Sequence, residues 1–242
     1  PAVVLLDSTT VALPDALAEV WAGCGGRVAQ GGQAALKLTV RLDLVTGRLE
    51  GPAPSAGRAQ DKASPLQRAP LPAGALRVTD LGFWSLAVLR AIGDQGAYFR
   101  SRLHLQTAVF GADGGRLDLA DWLGRQPRRR PSAAVELGAE ARVPARLLAV
   151  RVPRRVAEAR RAAILADAKR EGAPPSAAKL ALADWTLLVT NAPPGVLAIR
   201  EALVLARARW QLELLFKPWK DGGGIDEWRS ADPDRVLCEV YA

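Results

Sequence analysis

Residues 36–44 alternate without a break: Leu36, Leu38, Val40, Leu42 and Leu44 fall on one side, Lys37, Thr39, Arg41 and Asp43 on the other. A period of two belongs to a β-strand, so this stretch predicts a strand buried on its apolar side only. Thr46-Gly47 supplies a turn, and a partner strand is expected around 48–50. Two short apolar runs frame this hairpin, and each closes on an acid: Val3-Val4-Leu5-Leu6-Asp7 and Ala75-Leu76-Arg77-Val78-Thr79-Asp80. Both read as buried strands ending at a polar site. A helix is expected over 84–94, with Trp84, Ala87, Val88 and Ala91 on one stripe, and a strand over 97–103. The order strand, hairpin, strand, helix, strand implies a mixed α/β sheet, and sites on such sheets gather at strand carboxyl ends.

The remaining segments are less regular. Asp15 is placed to cap a short helix over 16–22, which Gly23, Gly25 and Gly26 would end. Residues 52–74, rich in Pro, Ala, Gly and Ser, read as a long connection. Residues 105–195 break the pattern with β-like runs at 143–152 and 185–190, a helical piece near 156–170, and arginines clustered at 125–130 and 151–161. They read as an insertion. The last strong helix spans 197–217, with Leu203, Trp210 and Leu214 as its apolar stripe. The expected organisation is therefore a core in two parts, 1–104 and 196–242, with an inserted subdomain at 105–195.

Composition narrows the chemistry. His104 is the only histidine, and Cys24 and Cys238 are the only cysteines. That excludes a Cys/His zinc site and a disulfide framework, and leaves little for a hydrolase that needs a histidine base. Catalysis, if present, falls to carboxylates. The net charge of +8 favours a polyanion such as nucleic acid, although arginine supplies 27 of the 33 basic residues and abundant arginine and alanine also follow from a GC-rich genome. No apolar stretch reaches the roughly 20 residues of a membrane span, and no signal segment opens the chain, so a cytoplasmic location is expected. With no methionine and an apolar run at each end, the chain reads as a piece of a longer protein.

Ala206, Arg209, Glu213 and Lys220 are spaced by three, four and seven residues, which keeps all four on one helical face. Taken alone, Arg209 and Glu213 read first as an ordinary exposed i,i+4 ion pair. The wider pattern is more specific. Arg209-x3-Glu213-x6-Lys220 resembles the Tyr-Arg-Glu-Lys signature of bacterial insertion-sequence transposases of the IS-four type, with Arg209-Trp210-Gln211-Leu212-Glu213-Leu214-Leu215-Phe216-Lys217 its most specific piece. Val3 to Thr9 is similar to the first catalytic strand of that family. Val78-Thr79-Asp80-Leu81-Gly82-Phe83-Trp84-Ser85 resembles its second acidic motif, and Gly96 to Leu103 the strand after it.

The resemblance implies a DDE transposase: an RNase-H-like mixed sheet flanked by helices, with a β-rich insertion before the last catalytic helix. Asp7, Asp80 and Glu213 would be the catalytic, metal-holding residues, and Mg²⁺, with Mn²⁺ as substitute, the cofactor, as two ions. Carboxylates suit this ion, which takes oxygen ligands and keeps several waters. Two ions activate the attacking water or 3′-hydroxyl and stabilise the leaving oxygen. Arg209 and Lys220 would contact DNA phosphates. Trp185 resembles a family tryptophan that supports an unstacked base, and reads equally well as a core residue of an apolar strand. The implied partners are double-stranded DNA (terminal inverted repeats and target) and a second copy of the chain, on the bacterial nucleoid. Ala206 stands where the family has tyrosine, and Pro218 cannot continue a regular helix. A catalytically inactive, DNA-binding remnant is therefore the alternative, and a nuclease that cuts without joining a third reading. Asp43, Asp61, Asp113, Asp118 and Asp226 are assigned no role.

Overall fold

The computed structural model describes residues 1–24, 33–208, 212, 214, 216–217 and 230–241. It divides into two compact units, Pro1–Tyr98 with Leu203–Ala242, and Phe99–Ala202.

In the first unit the strands are β1 (Val3–Leu13), β2 (Ala34–Asp43), β3 (Leu49–Ala56) and β4 (Leu76–Val78), in spatial order β3-β2-β1-β4. β1–β2 and β2–β3 are antiparallel and β1–β4 is parallel, the mixed pairing expected of an RNase-H-like α/β sheet. The hairpin forms as its turn residues require. Asp43 accepts the Val45 N–H and the Thr46 hydroxyl, each at 2.9 Å, which holds its carboxyl below the usual range, and Gly47 takes a φ of 72°. β3 carries Pro52 and Pro54 at the end of this strand order, where a missing N–H breaks no inner ladder.

Several expectations need correcting. β1 does not stop at Asp7 but runs on to Leu13, because Val11 and Leu13 join a core with Leu17, Trp21, Ala34, Leu36, Leu38 and Val236. Asp7 therefore lies in mid-strand, opposite Val40. In place of a helix over 16–22 there is a 3₁₀ turn, Asp15–Leu17, and the Asp15 carboxylate accepts the Gln33 N–H instead of capping. β2 is buried on both sides, Thr39 and Arg41 included. Its polar face is covered by the segment read as a connection, which holds the second half of β3 and the 3₁₀ turns Asp61–Ala63 and Pro65–Arg68. Arg41 donates to the Pro70 carbonyl and pairs with Glu50, and Arg77 donates to the Gln67 carbonyl at 2.7 Å. Burial, aided by the nearby Arg41 charge, lowers the Arg77 guanidinium to about 10.

Helix α1 (Leu86–Asp94) is capped by Ser85 and buries Val88, Leu89 and Ile92, while Ala87 and Ala91 are exposed. Its buried stripe is thus rotated from the expected one.

The second unit is an antiparallel sheet in the order β5-β9-β8-β7-β6: β5 (Tyr98–Arg102), β6 (Val109–Phe110), β7 (Ser132–Leu137), β8 (Val143–Arg151) and β9 (Trp185–Thr190). Leu137, Leu147, Leu148, Leu188 and Val189 are fully buried. Short helices α2 (Leu119–Gly124) and α4 (Ala177–Leu182) accompany the 18-residue α3 (Arg154–Glu171). α3 buries only Ala157 and is pinned by polar contacts: Arg160 donates to the Trp185 carbonyl at 2.9 Å and the Thr186 hydroxyl at 3.1 Å. Burial, then the charge of Arg102, lowers its guanidinium below the usual range.

The chain continues into α5 (Ile199–Ala208) and ends in α6 (Pro233–Tyr241). Residues 212, 214, 216 and 217 are helical; Leu212 and Phe216 are buried, whereas Leu214 is 41% exposed and so departs from the expected stripe. Among the described residues no helix is long and apolar enough to cross a membrane.

Leu38 is fully buried where Val236 of α6 meets the sheet, so Leu38→Ala should cost about 2–5 kcal/mol, read as a lower urea midpoint at unchanged slope.

Candidate active site

The β1–β4 ladder runs Val3–Leu76, Val4–Arg77, Leu5–Val78. Continued two residues past its last pair, this register would bring Asp80 level with Asp7, although β4 itself ends at Val78. Asp80 follows β4 by two residues and lies outside the ladder, whereas alternation puts Asp7 on the face of Leu5. α6 packs on that side too, since Val236 meets Val11, Leu36 and Leu38 there.

The two aspartates are held differently. Asp7 is 7% exposed, fixed by ladder bonds on a central strand, and its Oδ1 accepts the Ser8 N–H at 3.0 Å. Asp80 is partly exposed, just past the end of β4, where it caps the 3₁₀ turn Leu81–Phe83 by accepting the Gly82 N–H at 2.9 Å. One rigid carboxylate on β1 and one at a turn after β4 are hard oxygen donors of the kind a divalent cation that keeps part of its water shell would take. Among the described residues no third His, Cys, Asp or Glu joins them. Arg209, Glu213 and Lys220 lie outside the described residues; Ala206 lies in α5.

Asp61, given no role from sequence, lies close by. Its Oδ1 accepts the Ser8 hydroxyl and the Lys37 ammonium, each at 2.8 Å. Nothing local in the sequence signals this, because Asp61 and Ser8 are 53 residues apart.

In the second unit Trp185 opens β9 and is buried, with the Arg151 guanidinium 5.8 Å from its ring centroid. Beside it, a cavity of about 520 Å³ is lined by Arg129, Arg151, Arg154, Arg161 and Asp184, together with the first turn of α3. Asp184 pairs with Arg161, and Arg154 with Glu158 at 2.7 Å, which leaves Arg129 and Arg151 without a carboxylate among the described residues. These two arginines are the groups in this unit best placed to meet an anion. The arginine clusters were visible in the sequence, but the cavity they share was not.

The family model described as Transposase DDE domain matches residues 1–242. The transposase for insertion sequence element IS231D of Bacillus thuringiensis subsp. finitimus is 25% identical over 256 residues, covering 98% of this chain and 53% of that protein. The transposase for insertion sequence element IS231C of Bacillus thuringiensis subsp. berliner is 26% identical over 257 residues, with the same coverage. The InsL protein of insertion sequence element IS186A of Escherichia coli (strain K12) is 29% identical over 189 residues, covering 74% of this chain and 51% of that protein. The chain spans about half the length of the curated relatives it matches.

Proposed function

Because the chain belongs to the Transposase DDE domain family, we propose that it is the catalytic core of a transposase that cuts and joins DNA at the ends of an insertion sequence. What supports this reading beside the family match is the parallel β1–β4 ladder, whose register, continued two residues past Leu5–Val78, would bring Asp7 and Asp80 level. Glu213 completes the set. Arg209 and Lys220 hold DNA phosphates beside it, Arg209 through its planar fork of donors and Lys220 as a point charge.

Asp7, Asp80 and Glu213 would hold Mg²⁺, or Mn²⁺ in its place, as two ions. When bound, the ions supply Lewis acidity to the scissile phosphate and lower the pKa of the attacking water or 3′-hydroxyl. The protein's part is to fix the carboxylates before DNA arrives. Asp7, locked in a central strand, and Asp80, on its capped turn, would hold the ions together with Glu213. The substrates are the duplex terminal repeats and a target duplex, bound by two copies of the chain on the nucleoid.

The β-rich segment 105–195 acts as a DNA-contacting insertion between the second aspartate and Glu213. Its cavity offers Arg129 and Arg151 to the phosphate backbone. Arg151 lies over the Trp185 ring, so an unstacked base on that face would have to displace its guanidinium.

Ala206, in place of the family tyrosine, favours a second reading in which the chain binds DNA without cutting it. Nicking of supercoiled plasmid separates the two. Cleavage is expected in Mg²⁺ or Mn²⁺, lost with EDTA, and at background in Asp7→Asn, while that variant still retards DNA in a gel. Joining of a labelled 3′-hydroxyl strand to plasmid distinguishes a transposase from a nuclease that only cuts. Binding without nicking by the unaltered protein would leave the non-catalytic reading.

The arginine cavity has its own test. Arg129→Ala with Arg151→Ala should lower the slope of log affinity against log salt for random-sequence duplex by about 2, one for each lost phosphate contact. An unchanged slope would remove the cavity from the DNA path.

A further inference from the structure

Asp61 joins the neighbours of both aspartates. Its Oδ1 accepts from the Ser8 hydroxyl, and Ser8 follows Asp7 on β1 but faces the opposite side of the sheet. Its Oδ2 fills the notch left by the missing side chain of Gly82. A Cβ built there would collide with that oxygen and lie 3.3 Å from Asp80 Oδ1. Gly82 is also the residue whose N–H the Asp80 carboxylate accepts. One carboxylate therefore touches the residue after Asp7 and the residue that Asp80 caps.

Such a tie has a mechanical purpose. β4 is three residues long and its ladder with β1 ends at Leu5–Val78, so the turn bearing Asp80 begins where those ladder bonds stop. Something else must fix its height above β1. The Lys37 ammonium, 2.8 Å from Asp61 Oδ1, offsets the added negative charge in a half-buried position, with the two side chains 14% and 24% exposed. It also weakens the pull of Asp61 on a further cation, since Oδ1 already accepts from Lys37 and Ser8.

We propose that Asp61 is a positioning residue for the metal site, clamping β1 and the Leu81–Phe83 turn from behind so that Asp7 and Asp80 keep a fixed separation. This rests on the reading of Asp7 and Asp80 as metal ligands. Gly82 is required in the same arrangement because any side chain there would displace the clamp.

The test is Mn²⁺ affinity, followed by the electron paramagnetic resonance signal of free Mn²⁺, beside the metal-free melting temperature. Asp61→Ala should weaken Mn²⁺ binding by about tenfold, in the range found when partners behind metal ligands are removed. Asp61→Asn keeps the shape and the acceptor oxygen and should stay within about threefold of the unaltered protein. Should Asp61→Ala not fold, Ser8→Ala removes only the clamp's hydroxyl donor and should weaken binding by about threefold at a nearly unchanged melting temperature. A merely structural role would lower the melting temperature of Asp61→Ala and leave the Mn²⁺ affinity of the folded protein unchanged, and that result, or full affinity in Ser8→Ala, overturns the clamp alone. If the unaltered protein binds no Mn²⁺, or binds it as well in Asp7→Asn, the metal-site reading and the clamp fall together.

Discussion

The parallel pairing of β1 with β4 is the constraint on which the first unit depends. Parallel neighbours cannot be joined by a tight turn, so the chain between them must be long, and here it does structural work. It leaves β1, returns as β2, turns at Asp43–Gly47 into β3, and then folds its 3₁₀ turns across the polar face of β2. The result is a sheet buried on both sides around a strand with an aspartate in its middle. An aspartate there is tolerated because the sheet's hydrogen bonds are made by the backbone, and its carboxylate accepts the Ser8 N–H.

The two sides of this sheet have different tasks. On the Asp7 side, Leu36, Leu38 and Val11 receive Val236 of α6, which brings the end of the chain onto the carboxylate face. On the other side Lys37, Arg41 and Arg77 are ordered by backbone carbonyls at Ala59, Pro70 and Gln67, and by Asp61 and Glu50. These contacts keep the lysine and arginine side chains of that face tied to carbonyls and to Asp61 and Glu50. In the second unit, Arg160 and Arg161 are used to hold α3 to β9, whereas Arg129 and Arg151 remain open to an anion. The same residue type does both jobs, and burial with carbonyl partners is what separates them.

How far the sequence could be read follows from range. Local signals were reliable: alternation found β2, Thr46-Gly47 found the hairpin, and short apolar runs found β4, β8 and β9. Errors arose where distant chain decided the outcome. The acid at Asp7 looked like a strand end, but ladder pairing with β2 and the Val11–Leu13 core carry the strand past it. The polar face of β2 looked solvated because nothing in residues 36–44 announces that residues 59–70 will cover it. Asp7 and Asp80 could be singled out by family resemblance alone. Asp61 could not be singled out, since its partners Ser8, Lys37 and Gly82 come from three separate stretches of sequence.

The central claim is that Asp7, Asp80 and Glu213 form one cation site. A crystal structure of the protein soaked in Mn²⁺, with the anomalous signal of the metal, tests it most directly. The expected result is one or two ions between Asp7 and Asp80, with Glu213 as the third carboxylate and Arg209 one helical turn away. Ions absent from that face, or Glu213 turned away from both aspartates, would contradict it and leave a protein with the fold of its family but not its chemistry.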